Sequence, residues 1–182
     1  MEALLKRPFL DRDSRMPPAG AMTGRDDRLA GPGAYALVIR LETMFAERIG
    51  ALGEKVLTPG TYVYLGSARG PGGMEARVRR HLRRDKGRHW HIDYLAGAGT
   101  VTDIALWPGG DECALVDRLS AGQGATVPAP GFGSSDCRLC AAHLLAAAGP
   151  EAIRDRLTAL PGVRFYSAAS FAPSAATDPA IV

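Results

Sequence analysis

The segment from Arg69 to Arg88 carries eight basic residues (Arg69, Arg77, Arg79, Arg80, Arg83, Arg84, Lys86 and Arg88) against Glu75 and Asp85. The formal net charge of the whole chain is only +3, so this short stretch is a local basic surface suited to a polyanion. A helix beginning near Met74 places Met74, Val78 and Leu82 on one apolar stripe, with Arg77 and His81 beside it and Arg79, Arg80 and Arg83 on the solvent side. An arginine at the border of a core can offer its planar fork to a phosphate in two-point contact. His81, one turn on, can bind phosphate or relay a proton, or can serve as a half-buried structural histidine. Glu112 falls in the first turn of a helix spanning 111–119. There a carboxylate either favours the helix dipole, worth under about 1 kcal/mol, or can hold a hard divalent cation.

Cys137-x2-Cys140-x2-His143 has ligand spacing compatible with zinc, and Cys113, His89 or His91 could supply a fourth ligand. If a helix runs from about Cys137 to Ala148, however, Cys137, Cys140 and Leu144 share one face. Two buried thiols then account for the pattern without a metal, which is the expectation adopted. His89, Trp90 and His91 could stack on or hydrogen-bond to unpaired bases, or could simply cover one end of a sheet.

These side chains need positioning by alternating strands and helices. The run 34–39 is short, apolar and bounded by Pro and Gly, as a buried strand should be. Phe45 to Leu57 fits a hairpin turning near Ala51-Leu52, and 61–65 is a β-rich central strand ending at Gly66-Ser67-Ala68. Another strand is expected at 101–107, and Ser134-Ser135-Asp136 supplies N-cap chemistry for the helix expected at 137–148. With 182 residues, 46% hydrophobic and 23% charged, one domain with its own core is expected over 31–148. Residues 1–30 read as a flexible leader and 149–182 as a partly loose extension. Three cysteines, no apolar secretory segment and no run of about 18 apolar residues point to a reduced, cytoplasmic protein off the membrane.

In order along the chain, Gly33-Ala34-Tyr35, Tyr64-Leu65-Gly66, Arg77 and Glu112 resemble the signature of the GIY-YIG nuclease superfamily. The phrases Tyr62 to Ala68, His89 to Leu95, Glu112-Cys113 and Gly131 to Cys137 are similar to its Uri-type stand-alone branch. The resemblance implies an α/β (α+β) fold with a small central antiparallel sheet flanked by helices. It also implies metal-dependent hydrolysis of phosphodiester bonds in nucleic acid, expected to be DNA in repair or processing. Tyr35, Tyr64, Arg77, His81 and Glu112 would form the catalytic set, with Mg²⁺ or Mn²⁺ on Glu112 and Tyr35 taking a proton from water. As residues of strands, the two tyrosines could equally be core fillers. The basic residues named above, with His89, Trp90 and His91, would contact the nucleic acid. The competing functions are a non-catalytic nucleic-acid-binding module using the basic helix 74–84, and an interaction protein stabilised by zinc on Cys113, Cys137, Cys140 and His143.

Overall fold

The computed structural model describes residues 31–121 and 124–171. The expected leader at 1–30 and the end of the extension, 172–182, lie outside the described residues. Strand β1 (Gly33–Leu41) is buried along nearly its whole length and alternates two faces. Tyr35, Leu37 and Ile39 look one way, and Ala34, Ala36 and Val38 look the other. Both faces are covered, which is why β1 reads as a continuous apolar run instead of a polar–apolar alternation.

A hairpin follows, β2 (Phe45–Ile49) and β3 (Gly53–Leu57), turning through a 3₁₀ segment at Gly50–Leu52 and forming its own two-stranded sheet. Strand β4 (Gly60–Ala68) then pairs antiparallel with β1, with Tyr35 opposite Gly66 and Leu37 opposite Tyr64. Helix α1 (Gly73–Leu82) and helix α2 (His91–Ala98) follow. Strand β5 (Thr100–Pro108) lies on the other side of β1, and helix α3 (Glu112–Ser120) is capped by Asp111, whose carboxylate accepts the N–H groups of Cys113 and Ala114. Short strands β6 (Ala125–Thr126) and β7 (Leu144–Ala147), helix α4 (Pro150–Thr158) and strand β8 (Arg164–Ser167) complete the chain. The main sheet has six strands in the order β6-β7-β4-β1-β5-β8, with every pair antiparallel. The protein is thus a mixed α+β fold with an antiparallel sheet flanked by helices, as the sequence indicated.

Two expectations need correction. Residues 137–148 do not form a helix: 137–143 are an irregular loop, and 144–147 form β7, paired with β4. The short apolar run Leu144 to Ala147 suits either structure, and the free edge of β4 decides in favour of strand. The second correction concerns the region after 148, which is not loose through 171. Helix α4 buries Ile153 and Leu157 against the β1 face that carries Val38, and β8 adds an edge strand beside β5. Among the described residues, no helix is long and apolar enough to cross a membrane.

Candidate functional site

Antiparallel pairing brings the start of β1 and the end of β4 to one end of the sheet, together with the loop that precedes β7. There the rings of Tyr35, Tyr64 and His81 form a triangle with centroid separations of 6.4, 5.6 and 6.2 Å. They border a cleft of about 510 Å³ that Arg77, Glu112, His89, Trp90 and His91 also line. Side chains that the sequence marked out from residue 35 to residue 112 therefore converge on one cleft.

Gly66 makes this convergence sterically feasible. A Cβ there would lie 2.5 Å from the Tyr35 hydroxyl oxygen and 2.6 Å from Cζ, so the phenol occupies the space a side chain would need. Opposite, Gly133 adopts φ 76° with the Tyr64 ring and His143 packed against it, a conformation and a space that both favour glycine.

Tyr35 is buried and its hydroxyl lies 2.7 Å from His81 Nε2. His81 Nδ1 lies 3.7 Å from Oδ1 of Asp93, on α2. Burial pushes the Tyr35 phenol well above its usual value, assisted by Tyr64. Burial also moves Tyr64 up, to about 12. For His81 the same desolvation acts in the opposite sense and lowers its pKa, although Asp93 opposes the shift. A neutral His81 with its proton on Nδ1 can therefore accept the Tyr35 hydroxyl proton at Nε2.

Asp93 is the residue that sequence reading missed. Its side chain is fully buried, accepts from both terminal nitrogens of Arg80 at 3.0 and 3.2 Å, and accepts the backbone N–H groups of His89 and Trp90 at 3.0 Å each. Burial alone would raise its pKa, but the nearby His81 ring together with hydrogen bonds from Arg80 and those backbone amides outweighs burial and holds the carboxyl well below the usual carboxylate range. The available signal was an acid embedded in a basic and aromatic stretch, with no internal pattern to say which cation it would meet.

Asp93 also corrects the reading of the basic segment. Arg80, expected in solvent, is drawn inward by Asp93, and its guanidinium stacks 3.8 Å from the Trp90 ring centroid. Lys86 likewise turns inward: its ammonium donates to the His81 carbonyl and lies 3.7 Å from Asp93. A buried carboxylate attracts the nearest cations more strongly than solvent does, which removes two positive charges from the expected surface. Arg79 pairs with Glu75 and donates to the Phe171 carbonyl, Arg83 lies 3.8 Å from Asp85, and Arg88 pairs with Glu47 on the hairpin. Arg69 reaches Asp111 at 3.0 Å and Glu112 at 3.9 Å. Arg77 and Arg84 make no ion pair with any described residue. The Arg77 guanidinium sits 4.4 Å from the Trp90 ring centroid, at the cleft.

Glu112 stands at the start of α3 with its Oε2 buried and without a hydrogen-bond partner among the described residues. A buried carboxylate oxygen with no hydrogen bond is costly, and the Arg69 guanidinium at 3.9 Å is too far to supply one, so the site has room for a closer cation or donor. His91 is not a donor into the cleft through Nδ1, because that nitrogen accepts the Gly133 N–H at 3.0 Å, and burial lowers its pKa.

Beside Glu112, the ligand atoms of Cys113, Cys137, Cys140 and His143 all lie within 4.8 Å of one another, a group that could hold a metal ion. Because residues 137–143 are a loop, the expected pair of core thiols on a helix face does not exist; all three cysteines are only partly buried. The N–H groups of Leu139 and Cys140 donate to Cys137 Sγ, and the Leu139 amide is the main cause of a Cys137 pKa near 6. Burial pushes Cys113 and Cys140 up instead. His89 and the other expected fourth ligand, His91, are not part of this cluster.

Sheet and cleft together define a small α+β protein organised round a carboxylate, an arginine with no ion pair among the described residues, and a tyrosine–histidine–aspartate chain. The chain belongs to the family described as a domain of unknown function, DUF123, whose model matches residues 34–162. No curated protein and no solved structure matches it. The match overturns the GIY-YIG resemblance, since no GIY-YIG match accompanies it. Its key phrases were tripeptides that differ from the signature at Ala34 and Leu65, and glycine–tyrosine pairs of this kind arise at many strand ends. Roles for the cleft residues therefore stand on their geometry alone.

Proposed function

We propose that this cleft hydrolyses phosphodiester bonds in nucleic acid, with DNA the first substrate to test, assisted by a divalent cation. The observation that carries the reading is the buried Oε2 of Glu112, which no described residue hydrogen-bonds and which only the Arg69 guanidinium approaches, at 3.9 Å; it shares one cleft with Arg77, which has no ion pair among the described residues, and with the Tyr35–His81–Asp93 chain. An oxygen ligand with no protein donor fits a hard cation such as Mg²⁺ or Mn²⁺, and Glu112 would hold it. Such an ion supplies neutralisation of the phosphate and of the leaving oxygen.

The Arg77 guanidinium lies at the cleft, where a phosphate can take both of its parallel donors, and the Trp90 ring supports it from one side. The raised Tyr35 pKa disfavours a free phenolate, so Tyr35 works as a relay. As water attacks phosphorus and the bond to the leaving oxygen breaks, the water proton passes to the Tyr35 oxygen. The phenolic proton passes at the same time to His81 Nε2. The resulting imidazolium is stabilised by Asp93, the role that a buried carboxylate has behind a general base.

The test incubates the purified chain with labelled single-stranded, duplex, flap and branched DNA and with RNA, in Mg²⁺, in Mn²⁺ and in chelator. Cleavage of at least one substrate, abolished by chelator, is the expected result. Tight binding with every substrate left intact would make the cleft a binding module and reject hydrolysis.

A further inference from the structure

We propose that Cys113, Cys137, Cys140 and His143 bind a structural zinc ion that ties the loop 134–143 to the start of α3. Cys113 Sγ lies 3.5 Å from Cys137 Sγ and 3.9 Å from His143 Nε2, and all four ligand atoms fall within 4.8 Å. A tetrahedral zinc with Zn–S of ~2.3 Å and Zn–N of ~2.0 Å spaces its ligand atoms by about 3.5 to 3.8 Å. These two pairs are thus already near the separations of a filled site, and no pair needs to close by more than about 1 Å. Three soft sulfurs and an imidazole select zinc over Mg²⁺ or Ca²⁺.

Packing accounts for only part of this cluster: Cys140 packs against the core face that carries Val38 and His143 is buried, but Cys113 and Cys137 belong to neither core cluster. Free cysteines that serve as core hydrophobes are usually fully buried. These three are only partly buried, and Leu139, between two of them, is 85% exposed. Apolar burial therefore does not hold the tip of the loop. Its turn instead aims two backbone N–H groups, those of Leu139 and Cys140, at Cys137 Sγ, an arrangement that stabilises a thiolate. At the other end of the loop His143 is anchored to its neighbours: its N–H donates to the Phe132 carbonyl, and its carbonyl accepts from Leu65 N–H. Four protein ligands leave no open position, which makes the ion structural. Cys113 follows Glu112 directly and Cys137 lines the cleft, so the ion fixes one cleft wall.

This inference does not depend on hydrolysis. The full-length chain is stripped with a chelator, titrated with Zn²⁺ and analysed for bound metal, and Co²⁺ is substituted to read thiolate coordination from its visible charge-transfer absorption. The expected result is about one zinc per chain, a melting temperature that falls on stripping and is restored by Zn²⁺ but not by Mg²⁺, and a thiolate–cobalt band. Cys140→Ser and His143→Ala should lose stoichiometric zinc, while Glu112→Gln should keep it. If either ligand variant fails to fold, stripping and refilling of the unmutated chain decides. A chain that binds no zinc and melts unchanged after chelation, or one isolated with a Cys113–Cys137 disulfide in place of metal, overturns the proposal.

Discussion

Replacing Gly66 with alanine should damage the cleft although it adds only one carbon. The new Cβ would sit 2.5 Å from the Tyr35 hydroxyl and 2.6 Å from Cζ, and reaching ordinary contact requires the ring to move by about 1 Å. Tyr35 is buried and its hydroxyl is held 2.7 Å from His81, so the ring cannot move without loosening that bond. Overpacking of a filled core costs about 1–3 kcal/mol, and a buried hydroxyl left unpaired costs a similar amount. With the ring yielding partway, the combined loss should be about 2–4 kcal/mol, or a melting temperature lower by about 5–15 °C for a chain of this size. Misplacing a reacting group by 1 Å commonly costs about 10² in rate, so single-turnover cleavage should fall by that order. Gly97, on α2, has open space around its Cβ position, and Gly97→Ala should raise stability by about 0.5–1 kcal/mol. Thermal melts and single-turnover assays on both variants make the comparison. A Gly66→Ala protein that melts and cuts like the parent would refute the placement of Tyr35.

Asp93→Ala leaves Arg80 and Lys86 facing a buried void and frees two backbone amides, and should cost about 3–5 kcal/mol in urea denaturation; a loss below about 1 kcal/mol would show that the network is ornamental. Arg77→Lys should lower turnover by about 10² with little change in affinity, because an ammonium cannot reproduce the two-point contact. In salt-titrated binding, alanine at both Arg84 and Arg138, which are exposed and unpaired among the described residues, should instead lower the salt slope by about two while sparing the rate of cleavage. The pH dependence follows from burial of His81, whose pKa is lowered in the folded chain relative to about 6.5 when unfolded. Below that pH the unfolded chain binds more protons, so stability declines as pH falls through the window between 6.5 and the lowered value. His91 contributes with the same sign. His81→Gln should flatten part of that decline in urea midpoints measured from pH 8 to 5.

Much of the architecture was readable because local signals agreed with one another. The apolar run at 34–39, the glycines at 50 and 53, the alternation at 61–65 and the stripe Met74, Val78, Leu82 each correspond to an element found at that place. Between 137 and 148 the helical signal came from the cap chemistry of Ser134-Ser135-Asp136, which does not outweigh strand pairing at the open edge of β4. That misassignment hid the cysteine cluster, since ligand convergence depends on the loop. Pro150 at the start of α4 is a helix-start signal that the reading of 149–182 as partly loose left unused. Asp93 could not be paired from sequence, because its partners Arg80, His81 and Lys86 lie on and after α1 and meet α2 only through tertiary packing. Charge counting likewise overstated the basic surface, because it cannot separate cations that face water from cations that neutralise a buried acid.

Single-turnover cleavage of labelled DNA by the parent chain and by Glu112→Gln, in Mg²⁺ and in chelator, tests the central claim most directly. The amide keeps the size of the side chain and removes the charge from the buried Glu112 oxygen that no described residue hydrogen-bonds. The account predicts metal-dependent cutting by the parent, a loss of about 10² or more in the variant, and unchanged folding and substrate binding in both. Cutting by Glu112→Gln at the parent rate, or a parent chain that cuts as fast in chelator as in Mg²⁺, would contradict it.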